Sequence, residues 1–154
     1  MTAVIQRVAH ASVVADGEPS GSCGAGLMIL LGVIQGDTEE DAIRLAEKIA
    51  KMRIFSDDNG RMNLSVIDIG GEALVVSNFT LAANYRKGNR PDYFNAASPD
   101  EAERLYSFFV DRLRESVRSV QTGVFGADMK IEISAEGPVT IVMDSNQLKK
   151  EGKV

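Results

Sequence analysis

Two short stretches hold the residues whose types and spacing could do chemistry. Ser77-Asn78-Phe79-Thr80-Leu81 closes the apolar run Ala73-Leu74-Val75-Val76, which follows the turn pair Gly70-Gly71. A Val-rich run after a glycine pair reads as a buried strand. A strand that ends abruptly in Ser, Asn and Thr delivers hydroxyls and an amide to the rim of a core. The second stretch is Gly137-Pro138-Val139-Thr140. Both also have a plainer reading. Polar side chains satisfy backbone groups where strands stop, and Gly-Pro makes ordinary turns.

The rest of the inventory narrows the chemistry. The chain has one histidine, His10, and one cysteine, Cys23, among 154 residues. That excludes an intrachain disulfide and a multi-cysteine zinc site. It also disfavours Ser and Cys hydrolase triads, which need a histidine base beside the nucleophile. His10 is expected at a strand end or bend, and Cys23, between Ser22 and Gly24, is expected to be structural. No metal and no cofactor are expected. The formal net charge of -5 argues against wrapping a nucleic-acid backbone without regard to sequence. It leaves room for gripping one end of an RNA, and Arg86, Lys87 and Arg90 form a local basic cluster. A solvated loop accounts for that cluster equally well. The apolar stretch Leu27 to Ile34 is too short to span a bilayer. No basic leader region opens the chain, so a cytoplasmic location and no membrane contact are expected.

The elements that must position these residues follow from pattern. Residues 2–8 and 11–15 read as strands, Asp16-Gly17 as a hairpin turn, and about 18–23 as the return strand. Residues 26–34 read as a central strand, apolar on both faces. Asp37 or Thr38 caps a helix with Glu39, Glu40 and Asp41 in its first turn. Ile43, Leu45, Ala46, Ile49, Ala50 and Met52 are expected on that helix's apolar stripe. Residues 82–97 have no period, and a loop of that length reads as functional or disordered. Ser98-Pro99-Asp100-Glu101 is a capped start for a second helix, with Leu105, Phe108, Phe109 and Leu113 inward. Strands over about 120–125, 128–134 and 139–144 follow, with Met129, Ile131 and Ile133 opposite a wet face. The expected class is α/β: a single compact domain over residues 1–146 with a mostly antiparallel, barrel-like sheet and two long helices. Residues 147–154 are expected to be a frayed polar tail.

Taken together, the motifs resemble those of the D-aminoacyl-tRNA deacylase family, whose two signatures are a Ser-Gln…Thr motif and Gly-Pro-Val-Thr. The likeness runs through Val4-Ile5-Gln6-Arg7-Val8, Ala11-Ser12-Val13, Arg53-Ile54-Phe55-Ser56-Asp57 and Gly60-Arg61-Met62-Asn63. It continues through Arg90-Pro91, Gln121-Thr122-Gly123 and Ala127-Asp128-Met129. Two positions depart from the pattern. Asn78 stands where Gln is usual, and Ala135-Glu136 precede Gly-Pro where Asn-rich sequence is usual.

The resemblance implies a deacylase-like fold and, as substrate, the 3′ end of an aminoacyl-tRNA. The bond to cleave is then an activated ester on a ribose, so neither metal nor histidine base is required. What helps is orientation, plus backbone donors aimed at the developing oxyanion. By that likeness Ser77, Asn78, Phe79 and Thr80 form the catalytic pocket floor. The Phe79-Thr80 turn supplies N–H groups, Thr80 positions rather than attacks, and the terminal ribose 2′-hydroxyl assists. Gly137-Pro138, joined by a cis bond, reaches with Val139 and Thr140 into the partner's pocket in a homodimer. Its carbonyls face the substrate α-carbon, and Arg7 holds it. Phe125 and Met129 wall the terminal adenine. Two other classes stay open: a deacylase of relaxed chirality acting on small L-residues, kept alive by Asn78, and a non-catalytic RNA-end binding module.

Overall fold

Period-two alternation and glycine punctuation resolve into eight strands and two α-helices among residues 1–150, which the computed structural model describes. In chain order these are β1 (Thr2–Ala15), β2 (Glu18–Cys23), β3 (Gly26–Gly32), α1 (Glu39–Lys51), β4 (Phe55–Ser56), β5 (Met62–Leu64) and β6 (Glu72–Ser77). Then come α2 (Pro99–Arg114), β7 (Ser119–Thr122) and β8 (Met129–Asp144). Short 3-10 helices cover Phe79–Ala82 and Ser145–Leu148.

β1 is the strand on which the main sheet is assembled. It pairs antiparallel with β2 through its second half, with β3 through its first half, and with β8 along nearly its whole length. β3 then pairs parallel with β6, and β6 parallel with β7. The sheet curls until β7 meets β2. Ser20 Oγ donates to the Thr122 carbonyl at 3.0 Å, and the Ser22 N–H to Gln121 Oε1 at 2.8 Å. Gly21 makes this closure sterically possible, because a Cβ there would stand 2.4 Å from the Thr122 carbonyl oxygen. The result is the expected mixed α/β fold, a nearly closed barrel with two helices.

The unbroken apolar run in β3 has a simple cause: both of its faces are covered. Leu27, Ile29 and Leu31 join the core under the helices, with Leu45, Ile49, Leu105 and Phe109. Met28 points into the barrel with Val8, Val13, Leu74 and Val76, and Leu30 packs against that cluster. The helices lie side by side. Ion pairs Arg104–Glu39 at 2.8 Å and Arg112–Glu47 at 2.6 Å share one sequence offset, so α1 and α2 run in the same direction.

Thr38 caps α1 as expected, in a capping box closed by Asp41. Ser98 does not cap α2 with its hydroxyl. Its carbonyl accepts from the Ala102 N–H at 2.8 Å, while Glu101 turns to Arg104. Other expectations need correction. Residues 2–8 and 11–15 are one strand, kept continuous by register shifts near Val8 that absorb the irregular pairing. Residues 128–134 and 139–144 are likewise one strand, because β8 follows β1 through the Gly-Pro step. β7 stops at Thr122, short of 125. His10 lies inside β1, exposed, opposite Ser134. Of the expected tail, Gln147 and Leu148 are folded into the last 3-10 helix, where Leu148 packs on the core. Residues 151–154 lie outside the described residues.

Candidate active site

β3, β6 and β7 are parallel, so their carboxyl ends open on the same side of the sheet. At that end lies a cavity of about 690 Å³. Its apolar lining comes from Leu30, Val76 and Ile131 of the barrel interior and Pro99 and Ala102 of α2. Ser77, Asn78, Phe79 and Thr80 line it together, and Phe125 and Met129 line it too. Six of the residues singled out from sequence therefore meet around one space.

The polar turn on this cavity is built by Asn78. Its N–H donates to the Leu31 carbonyl at 2.8 Å, which ties the end of β6 to β3. Its side chain caps the following 3-10 helix, because Oδ1 accepts from the Thr80 N–H at 3.1 Å and also from the Thr80 hydroxyl. Asn at such a position closes a local turn on itself. This corrects the expectation that both Phe79 and Thr80 offer free backbone donors. The Thr80 N–H is engaged, and the Phe79 N–H has no hydrogen-bond partner among the described residues.

The opposite wall is held from behind. The Phe125 ring packs 6.0 Å from that of Tyr106. The buried Tyr106 hydroxyl donates to the Val75 carbonyl at 2.8 Å, in the strand that ends at Ser77. Burial pushes that phenol up to about 12, so it remains a donor. Met129 fits because residue 123 is glycine: a Cβ there would stand 2.5 Å from the Met129 sulfur.

The second stretch lies elsewhere. Gly137, Pro138, Val139, Thr140 and Arg7 do not line this cavity. The Gly137–Pro138 peptide bond is cis. Arg7 Nε donates to the Glu136 carbonyl at 3.1 Å and Nη1 to the Ile54 carbonyl at 2.8 Å. The guanidinium is thus fixed against the corner that it was expected to hold. Pro138 and Thr140 are exposed, and Val139 packs partly on the core. Thr140 Oγ1 accepts from Gln6 Nε2 at 3.4 Å.

Cys23 and His10 do not line the cavity. Cys23 is buried, and burial pushes its thiol up to about 11. No group of His, Cys, Asp or Glu among the described residues could hold a metal ion. The sequence reading missed Leu30, Val33, Ala96, Ala97 and Ile131 as cavity residues. Alternation with Ile29 and Leu31 already placed Leu30 inside the barrel. Ala96-Ala97, two small apolar residues closing an aperiodic loop, were a second available signal.

A family model described as D-Tyr-tRNA(Tyr) deacylase matches residues 4–144. Curated relatives named D-aminoacyl-tRNA deacylase are similar over nearly the whole chain. One from Persephonella marina is 56% identical over 148 residues, covering 96% of this chain and 100% of its own. One from Caldicellulosiruptor bescii is 50% identical over 148 residues, covering 96% and 99%. Among solved structures, one titled c-Myc DNA Unwinding Element Binding Protein superposes with a TM-score of 0.88 at 39% identity, covering 94% of this chain and 98% of that one. A probable eukaryotic D-amino acid tRNA deacylase superposes at 0.80 and 16% identity, covering 93% and 99%, which is a likeness of fold.

Proposed function

The chain belongs to the D-Tyr-tRNA(Tyr) deacylase family, and from that membership we propose that it hydrolyses the ester of D-aminoacyl-tRNA, and of glycyl-tRNA, to amino acid and tRNA. This is a chiral-proofreading step in translation, and a tRNA substrate supports a cytoplasmic location. No helix among the described residues is long and apolar enough to cross a membrane.

The observation that carries the mechanism is the unengaged Phe79 N–H at the cavity, next to a Thr80 hydroxyl already held by Asn78. An ester carbonyl placed against that N–H gains a donor as its oxygen becomes an oxyanion. Thr80 has no base to activate it. It acts as a positioning hydroxyl, while water attacks with the ribose 2′-hydroxyl assisting. Ser77 and Asn78 shape the floor, and Phe125 and Met129 receive the terminal adenine.

Selection of handedness falls to the Gly137-Pro138 corner of a second copy. Within one chain this corner and Arg7 do not line the cavity, which supports a two-fold homodimer in which the corner of each copy enters the other's cavity. Exposed apolar residues on β8, Val142 at 70% and Ile133 at 39%, suit that contact. Val139 and Thr140 carry the corner. Carbonyls facing the α-carbon clash with an L side chain and leave a D side chain free. Glycine has no side chain to clash and is accepted.

The names of the relatives disfavour the relaxed-chirality reading, and also the reading as a non-catalytic binding module. One panel tests all three: D-tyrosyl-, L-tyrosyl- and glycyl-tRNA, each compared with its spontaneous hydrolysis. D and glycyl esters should be lost fast and the L ester spared. Equal rates on the D and L esters would overturn the assignment of handedness. No rate above background would overturn the enzyme assignment. Sedimentation showing a fully active monomer would overturn the homodimer.

A further inference from the structure

We propose that the 82–97 loop is the arm that holds the single-stranded 3′ end of the RNA outside the cavity. Tyr85 and Phe94 serve as stacking faces, and Arg86, Lys87 and Arg90 as phosphate contacts. This rests on the tRNA reading above and extends it to a surface which that reading does not use.

The loop is built, although it has no periodic structure. Asn84 and Asp92 exchange two backbone hydrogen bonds, at 2.8 and 2.9 Å, and close the segment between them into a tip. Asn84 Nδ2 donates to Asp92 Oδ2 at 3.2 Å, and Asp92 Oδ1 accepts from the Phe94 N–H at 3.3 Å. Gln35 Nε2 anchors the far side through the Phe94 carbonyl at 2.8 Å. The loop also touches the cavity. The Tyr93 ring meets Phe79 edge to face at 5.1 Å, and Ala96 and Ala97 line the cavity itself.

On this anchored frame two large rings face water. Tyr85, just inside the Asn84–Asp92 closure, is 78% exposed, and Phe94, just outside it, is 82% exposed. A fold gains nothing by holding aromatic rings outward on an ordered loop, whereas nucleobases stack on them regardless of sequence. In the tip Arg86, Lys87 and Arg90 are exposed and carry no ion pair among the described residues. By contrast Arg44, Arg104, Arg112, Arg114 and Arg118 each pair with an acid. Both oxygens of Asp92, the acid nearest the tip, are taken by Asn84 and Phe94. In a chain of net charge -5, three cations unpaired among the described residues, on a loop that also exposes two rings beside the cavity, match a strand of stacked bases and phosphates.

The partner is single-stranded RNA rather than duplex, because exposed rings on a loop offer flat faces that unstacked bases can cover. The surface adds affinity for the polynucleotide and leaves the reacting ester alone.

The test compares two substrates on wild-type protein and on two variants, Arg86→Gln/Lys87→Gln/Arg90→Gln and Tyr85→Ser/Phe94→Ser. One substrate is D-tyrosyl-tRNA. The other is the D-tyrosyl ester of adenosine, which has no phosphate and no second base. For the tRNA, the charge variant should raise KM and flatten the plot of log KM against log salt by about 2, given about 0.7 per lost phosphate contact on a single strand. The aromatic variant should raise KM about 5- to 150-fold per lost stack with kcat near wild type. Neither variant should change the rate on the adenosine ester. If KM for the tRNA and its salt slope stay at wild-type values, the loop is not the arm. If the adenosine ester slows in step with the tRNA, the loop shapes the cavity instead, and the inference also fails. Wild-type protein inactive on both substrates would refute the deacylase reading itself, an outcome distinct from these two.

Discussion

Thr80→Ala separates a positioning hydroxyl from a nucleophile. The Thr80 hydroxyl has one hydrogen bond, to Asn78 Oδ1, and the residue is exposed. Removing it deletes one neutral bond whose surviving partner can turn to water or keep the Thr80 N–H at 3.1 Å. The net value of such a bond is about 0.5–1.5 kcal/mol. At about 1.4 kcal/mol per tenfold, kcat/KM on D-tyrosyl-tRNA should fall by about 2- to 13-fold. The bond is also a coupling, so its size can be isolated. Asn78→Ala removes the acceptor, and the double variant should lose less than the sum of the two singles by about the same 0.5–1.5 kcal/mol. Single-turnover hydrolysis of D-tyrosyl-tRNA measures all three. A drop of several orders of magnitude in Thr80→Ala, with an acyl adduct on wild-type protein seen by mass spectrometry, would refute the argument. Strict additivity of the two changes would refute the coupling.

Three further expectations follow from the geometry. Tyr106→Phe removes the 2.8 Å donor to the Val75 carbonyl, which keeps the Gly123 N–H at 3.2 Å, so it should cost about 0.5–1.5 kcal/mol in denaturant unfolding; an unchanged unfolding midpoint would show that the bond contributes nothing. Burial pushes the Asp41 carboxyl up, but hydrogen bonds from the Thr38 N–H and hydroxyl and the nearby Lys149 ammonium outweigh it and hold it below the usual range. Its contribution is therefore present above the unfolded carboxyl pKa of about 3.9 and is lost as pH falls through the lower folded value. Asp41→Asn should cost about 0.5–2 kcal/mol near neutrality, with the gap to wild type closing below about pH 4; a gap independent of pH would contradict this. Gly137→Ala sets a Cβ 2.5 Å from the Val139 nitrogen at a φ of +138°, so the corner must shift, and the preference for D- over L-tyrosyl-tRNA should shrink; unchanged selectivity would remove that corner from the discrimination.

Much of the fold was legible because its signals are local. Asp16-Gly17 marks a turn, and Asp16 adopts a positive φ of 48° there. Thr38 with three acids after it marks the start of α1. The failures share another cause. β1 and β8 are long strands paired with each other over most of their length. Each contains a polar or proline step that looks like a break in isolation, at Ala9-His10 and at Gly137-Pro138. Continuity there is imposed by the partner strand, which no window along one strand can register. The Asn78 cap was illegible for a different reason. Sequence shows a polar residue at a strand end, but only coordinates show its amide oxygen taking both the N–H and the hydroxyl of Thr80.

The position of the candidate site follows from the minority pairing in this sheet. Where strands are antiparallel, as in β1 with β2, β3 and β8, neighbouring ends point in opposite directions and each rim mixes donors and acceptors. β3, β6 and β7 run together, so Gly32, Ser77 and Thr122 finish on one side. Beyond a shared carboxyl end each chain must turn away, and the first peptide groups past the ladder lose their strand partners. Ligand crevices outside the carboxyl ends of parallel strands arise in this way. Here Asn78 re-engages two of the freed groups, its own N–H and that of Thr80, and leaves the one between them, at Phe79. Phe125 and Gly126 on the same cavity also donate no backbone hydrogen bond among the described residues, so the Phe79 N–H is one of several groups there suited to a developing charge. In the proposed reaction such donors take the place of a histidine base or a thiolate, since the one histidine is exposed and off the cavity and the cysteine is buried.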